Sequence, residues 1–254
     1  PYDFDNTRYY IGPALQCSNI YPAMYAKGFY DGLKESGEKE IMSLVRCAWA
    51  GSQKYGVLTW SGDIYSSFRA MQEQLQAGLN MGMAGIPWWT SDIGGFVGGN
   101  IEDEDFRELL VRWFAWGAFC PVFRMHGERS PWYEREQEFI DNVRQLTSGQ
   151  DNEVWSFGED NYEILKKYLF VRENMRPYIR ECMRAASETG APVMRPLFFD
   201  FPEDKKCWET EDVYMFGPDV LVAPVMELGA RERTLYLPKG AEWKDAVSGN
   251  LYEG

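Results

Sequence analysis

Short apolar runs alternate with helical periodicity along the first 200 residues, and this alternation restricts the fold more than any other feature. Residues 41–46 and 56–60 read as strands. Phe68, Met71, Leu75 and Leu79 then share one face of a helix. The apolar stretch 83–87 is a third strand candidate. Asp103 is placed to cap a second helix that buries Phe106, Leu109, Leu110, Trp113 and Phe114 and leaves Arg107, Glu108 and Arg112 outside. Residues 120–123 are strand-like, a long helical region from Asp160 is interrupted at Pro177, and residues 192–198 close the series. Such alternation predicts an α/β architecture with a parallel sheet and helical crossovers. The strands are too few for a whole (β/α)8 barrel, so only part of one fits. After Cys207 the texture changes to short strands, 213–216, 220–223 and 234–237, separated by Gly/Pro turns. This predicts a partial barrel over 1–207 and the beginning of an antiparallel β domain over 208–254.

Composition excludes several function classes. Of 254 residues, 26 are Lys or Arg and 39 are Asp or Glu, a net charge of −13. An acidic chain repels phosphate backbones, so nucleic acid is not an expected partner. Apolar runs fall short of the roughly 18 residues of a membrane span, so no membrane partner is expected. The single histidine, His126, argues against a multi-histidine metal site, and no metal or organic cofactor is implied. Cys17, Cys47, Cys120, Cys182 and Cys207 are odd in number and widely spaced. They read as reduced, mostly buried thiols in a reducing, cytoplasmic compartment. Aromatic residues reach 16%, which suits either a large core or surfaces that stack against the flat C–H faces of sugars.

The chemistry-bearing residues follow the strand candidates. Trp60-Ser61-Gly62-Asp63 places a carboxyl on a glycine turn beside an indole. Partial desolvation there would suit general-acid work, although a helix cap is the plainer role for such an Asp. In Trp88-Trp89-Thr90-Ser91-Asp92-Ile93-Gly94-Gly95-Phe96 the paired glycines allow close approach of a ligand, and Asp92 can bond hydroxyls or orient a neighbour. A glycine loop over a core tryptophan pair is the competing account. Arg124 and His126 follow the 120–123 run, and Arg46 follows the first strand as a cation able to hold a carboxylate or a hydroxyl. Carboxylates, Arg, His and Trp at successive strand ends form the equipment of a glycoside hydrolase.

These stretches together resemble glycoside hydrolase family 31, the α-glucosidase and α-xylosidase family. The resemblance rests on Arg46-Cys-Ala-Trp-Ala-Gly-Ser-Gln53, Trp60-Ser-Gly-Asp63, 78–89, Ser91-Asp-Ile-Gly-Gly-Phe96, Phe123-Arg-Met-His-Gly127, and 216–225 followed by 235–238. It implies an exo-acting, retaining hydrolase of α-linked glycosides or oligosaccharides. The fold it implies is the C-terminal part of a (β/α)8 TIM barrel followed by the start of an antiparallel β-sandwich domain. Asp63 matches the general acid/base, and Arg46, Trp60, Trp89, Asp92, Phe96 and His126 match the sugar-binding side chains. The family nucleophile aligns about ten residues before Pro1, and Asp3 and Asp5 follow it. The chain is therefore expected to lack a partner carboxylate, to be inactive alone, and to need self-association or the other half of the barrel. A catalytically incomplete carbohydrate-binding or interaction protein is the alternative. The 88–96 loop leans toward α-xylosidases, with α-glucosidase left open.

Overall fold

The computed structural model describes residues 6–132 and 149–254, and the backbone alone of 139–140 and 143–144. Asp3 and Asp5 lie outside the described residues. Strands Ser43–Val45, Val57–Trp60 and Trp89–Thr90 form a parallel three-stranded sheet in that order. The crossover between the last two is the helix Phe68–Met83, whose cap Ser67 accepts a hydrogen bond from the Ala70 N–H. Met71, Leu75 and Leu79 are buried as the periodicity predicts, and Phe68 packs at the edge of the same core.

The third strand lies later than expected. The helix continues through Met83 and closes with hydrogen bonds from the Gly85 N–H to Gly82 and from the Ile86 N–H to Met81. Pro87 has no N–H to give a ladder, so pairing begins at Trp89. The run 120–123 is not a strand among the described residues. It lies beside Trp89–Thr90 through a Val122 N–H to Trp89 carbonyl bond and a bond from the Thr90 hydroxyl to the Val122 carbonyl. Ile93 and Met125 form an isolated parallel bridge further on. The parallel direction is thus kept with a sparse ladder.

The helix Glu104–Gly117 starts where Asp103 predicts it, with the Asp103 carboxylate accepting from the Asp105 N–H. Its inner face buries Phe106, Leu109, Leu110, Trp113, Phe114 and Trp116. Its outer face is half-buried instead of free. Glu108 pairs with Arg112 at 3.2 Å and with Arg231 at 2.9 Å, and Arg112 donates to the Ala230 carbonyl. The helical region expected from Asp160 is two helices, Glu159–Asn174 and Arg176–Thr189. The break falls at Met175, and Pro177 occupies the first turn of the second helix, where its missing N–H costs nothing.

Strand Met194–Pro196, which closes the sequence series, pairs antiparallel with Tyr214–Phe216, which pairs antiparallel with Val220–Val222. A hairpin of Glu242–Lys244 and Leu251–Glu253 follows. Residues 234–237 join no sheet among the described residues; an apolar extended run becomes a strand only beside a free edge. One large core unites Met71, Leu75, Trp89, Trp113 and Trp116 with Met194, Tyr214, Phe216 and Val222.

Trp89 belongs to this core. It is 2% exposed, stacks toward Trp116 at 6.2 Å, and lies so close to the Phe68–Met83 helix that a Cβ at Gly78 would meet its ring at 2.9 Å. Trp89→Ala is expected to lower unfolding stability by about 3–5 kcal/mol, as for other large-to-small core changes. Urea denaturation measures this, and a loss below about 1 kcal/mol would contradict the core placement.

Candidate active site

Three turns at the carboxyl ends of the parallel segments are laced together by backbone hydrogen bonds. The Phe96 and Val97 N–H groups both donate to the Ile64 carbonyl, at 2.8 and 3.0 Å, joining the Asp63 turn to the Asp92 loop. The Ser66 N–H returns a bond to the Val97 carbonyl at 2.8 Å, and the Glu128 N–H donates to the Phe96 carbonyl at 2.8 Å. This closeness demands glycine at Gly95, where φ is +77° and a Cβ would lie 2.6 Å from the backbone of Ser66.

On this frame the polar side chains form a linked chain. Asp63 accepts from the Arg46 guanidinium at 2.5 Å, with side chains 46% and 62% exposed. The Asp63 carboxylate is about half open to solvent. Arg46 lies 5.7 Å from the centroid of Trp60, and Arg124 lies 5.9 Å from the same ring. Arg124 in turn is ion-paired to Asp92, which is fully buried. Trp60 thus stands between two ion pairs, one exposed and one buried. His126 and Phe96 form a ring pair with centroids 5.4 Å apart.

Burial pushes the Asp92 carboxyl up from its ordinary range, against the opposing pull of Arg124, while the negative charge of Asp63 pushes in the same direction as burial. Its Oδ2 is buried without a hydrogen-bond partner among the described residues. A hydroxyl donor reaching that oxygen would satisfy it.

Of the seven residues anticipated, Arg46, Trp60, Asp63 and Asp92 are brought together with Arg124, and Phe96 and His126 pair on the adjoining turns. Trp89 stands apart, turned into the helix-side core. The sequence does not single out two participants. Arg124 stands out there only as a neighbour of His126, yet it bridges Trp60 and Asp92. Arg129, three residues beyond His126, is buried under both turns. The glycines that cradle it, Gly94, Gly99 and Gly127, all follow Asp92 in the sequence and are its only sequence signal. Among the described residues no group of His, Cys, Asp and Glu is placed to hold a metal ion, and no helix is long and apolar enough to cross a membrane.

Carboxylates, guanidiniums and rings gathered at the carboxyl ends of parallel strands, with a helical crossover behind, are placed as the active-site side chains of β/α barrels are. The TIM-barrel domain of glycosyl hydrolases family 31 matches residues 3–181, and the C-terminal domain of glycosyl hydrolase family 31 matches residues 190–254. The crystal structure of a family 31 α-xylosidase from a soil metagenome, complexed with xylose, is similar over 100% of this chain and 38% of its own, with 58% identity and a TM-score of 0.95. An α-xylosidase of Saccharolobus solfataricus is 35% identical over 244 residues, 96% of this chain and 31% of the relative. An uncharacterized family 31 glucosidase of Pseudescherichia vulneris is 67% identical over 130 residues, 51% of this chain and 25% of the relative. This chain belongs to glycoside hydrolase family 31. It spans between 25% and 38% of the length of these relatives.

A carboxyl whose proton is held more tightly in the folded state withdraws stability as pH rises from about 4, its unfolded value, through the raised folded value. Asp92→Asn has no such dependence. The urea midpoint of Asp92→Asn relative to native protein is expected to shift in the variant's favour between pH 4 and pH 7. A gap that is constant or moves the other way would show that Arg124 outweighs burial.

Proposed function

We propose that this chain is the acid/base-bearing part of an exo-acting, retaining α-glycosidase of the α-xylosidase or α-glucosidase type. The observation that carries the reading is the placement of Asp63: a solvent-open carboxylate at a strand end, fixed by Arg46 and facing the same cluster as Asp92. In its acid form Asp63 gives its proton to the glycosidic oxygen as the aglycone leaves. In its carboxylate form it then takes a proton from the water that attacks the anomeric carbon. The nucleophile that forms the glycosyl-enzyme is a second carboxylate, which the family resemblance puts upstream of Pro1.

The other residues hold the sugar. Asp92 keeps a buried, unpartnered oxygen beneath the cluster that a hydroxyl reaches once the side chains above it part, His126 is exposed, and Phe96 and Trp60 give apolar surface to ring C–H groups. Arg46 keeps the Asp63 carboxylate in place and shares the Trp60 ring with Arg124. The likeness to α-xylosidases in both curated and solved relatives favours a substrate without a C6 hydroxymethyl group.

In the full-length protein, Asp63→Ala is expected to lower kcat/KM by about 10²–10⁴-fold on glycosides with poor leaving groups. On aryl glycosides with activated leaving groups, which need no proton, the loss in kcat/KM should be far smaller. Equal losses on both substrate classes would remove Asp63 from the acid/base role. Comparing p-nitrophenyl α-xyloside with α-glucoside on native protein decides between the two sugars.

A further inference from the structure

Arg129 is 1% exposed, and its guanidinium donates five hydrogen bonds among the described residues. Nε reaches the Asn152 side-chain oxygen at 2.8 Å. Nη1 reaches the carbonyls of Gly95 at 2.9 Å and Glu128 at 3.1 Å. Nη2 reaches the carbonyls of Ile93 at 3.0 Å and His126 at 3.5 Å. A buried arginine ordinarily meets a carboxylate, but here every acceptor is an uncharged amide oxygen. The four carbonyls are divided equally between the turn that carries Asp92 and Phe96 and the turn that carries His126.

The surroundings are shaped to this group. A Cβ at Gly94 would lie 3.1 Å from Nη2, and Cβ atoms at Gly99 and Gly127 would lie 3.0 and 2.5 Å from Nη1. The cation also lies 5.2 Å from the centroid of the Phe106 ring, on the Glu104–Gly117 helix. Burial pushes the guanidinium down to about 10, which leaves it charged at neutral pH. Lysine offers a single nitrogen and no fork, so it cannot span acceptors on two turns.

We propose that Arg129 is a positioning residue: its guanidinium sets the spacing between the 92–96 turn and His126, so that Asp92, Phe96 and His126 meet a bound glycoside as one rigid unit. The kinetic side of this assignment rests on the glycosidase reading above. Displacing such groups by about 1 Å costs about 10²-fold in rate.

The test uses Arg129→Lys and Asn152→Ala in the full-length protein, each made in the native and in the His126→Ala background. On an aryl α-glycoside, Arg129→Lys is expected to lower kcat/KM about 100-fold and Asn152→Ala about 10-fold. Both losses should shrink to about threefold or less once His126 is gone, because the residues act as a unit. Amide hydrogen exchange should quicken at 93–98 and 125–128 while the Phe68–Met83 helix keeps its native rates. If Arg129→Lys does not fold, Asn152→Ala decides. Equal losses in both backgrounds, unchanged exchange in the two turns, or faster exchange throughout would each overturn the proposal. Native protein inactive on both α-xyloside and α-glucoside would instead sink the glycosidase reading, and the exchange pattern would still decide the role of Arg129.

Discussion

The pleat of the parallel sheet governs the placement of the side chains that matter. Thr59 is in register with Trp89, and Trp60 with Thr90. Side chains alternate between the two faces of a strand, so neighbours in sequence meet opposite environments. Trp89 and Ser91 turn to the helices: Trp89 packs on Trp116, and the Ser91 hydroxyl accepts from the Trp113 indole N–H at 3.0 Å. Asp92, on the other face, meets Arg124. A register slip of one residue would exchange these sets, placing a carboxylate among indoles and a tryptophan beside Arg124. The buried Ser91–Trp113 bond opposes such a slip.

The two ion pairs around Trp60 differ in physical character. The Arg46–Asp63 pair is exposed, so solvent screens it and its net contribution to stability is small. Its value is geometric: it fixes where the Asp63 carboxylate points while leaving it accessible to solvent. The Arg124–Asp92 pair is buried on the Asp side, where loss of hydration opposes the attraction. Asp92 is retained at an energetic disadvantage, with one oxygen unpartnered.

Much of the fold was readable because local signals agreed with tertiary packing. The capping residue Asp103 and the spacing of Phe106, Leu109, Leu110, Trp113 and Phe114 specified one helix unambiguously. The failures lie where sequence is silent about partners. Residues 83–87 and 234–237 are apolar enough for strands, but pairing depends on an edge that only the folded chain supplies. Trp89 resisted assignment because an indole suits a core and a sugar platform equally, and only register separates the two. Arg124 and Arg129 were obscured for the same reason: surface arginines are common, and neither burial nor a glycine cradle is visible in a one-dimensional string. The motif order identified the family, whereas the physics of the site came from the pleat and the turns.

Strand Met194–Pro196 opens the stretch that matches the C-terminal domain and hydrogen-bonds to Tyr214–Phe216 within it. The Tyr214 hydroxyl donates back to the Phe119 carbonyl at 2.7 Å, and the Tyr178 hydroxyl to the Phe216 carbonyl at 2.8 Å. Arg172 gathers the carbonyls of Ala118, Cys120 and Pro121 just before the extended run that leads to Arg124. The boundary between the two domains is consequently filled with shared core, not with linker. Parting the two would expose that apolar core on both sides, so the β domain and the barrel segment are expected to melt as one cooperative unit.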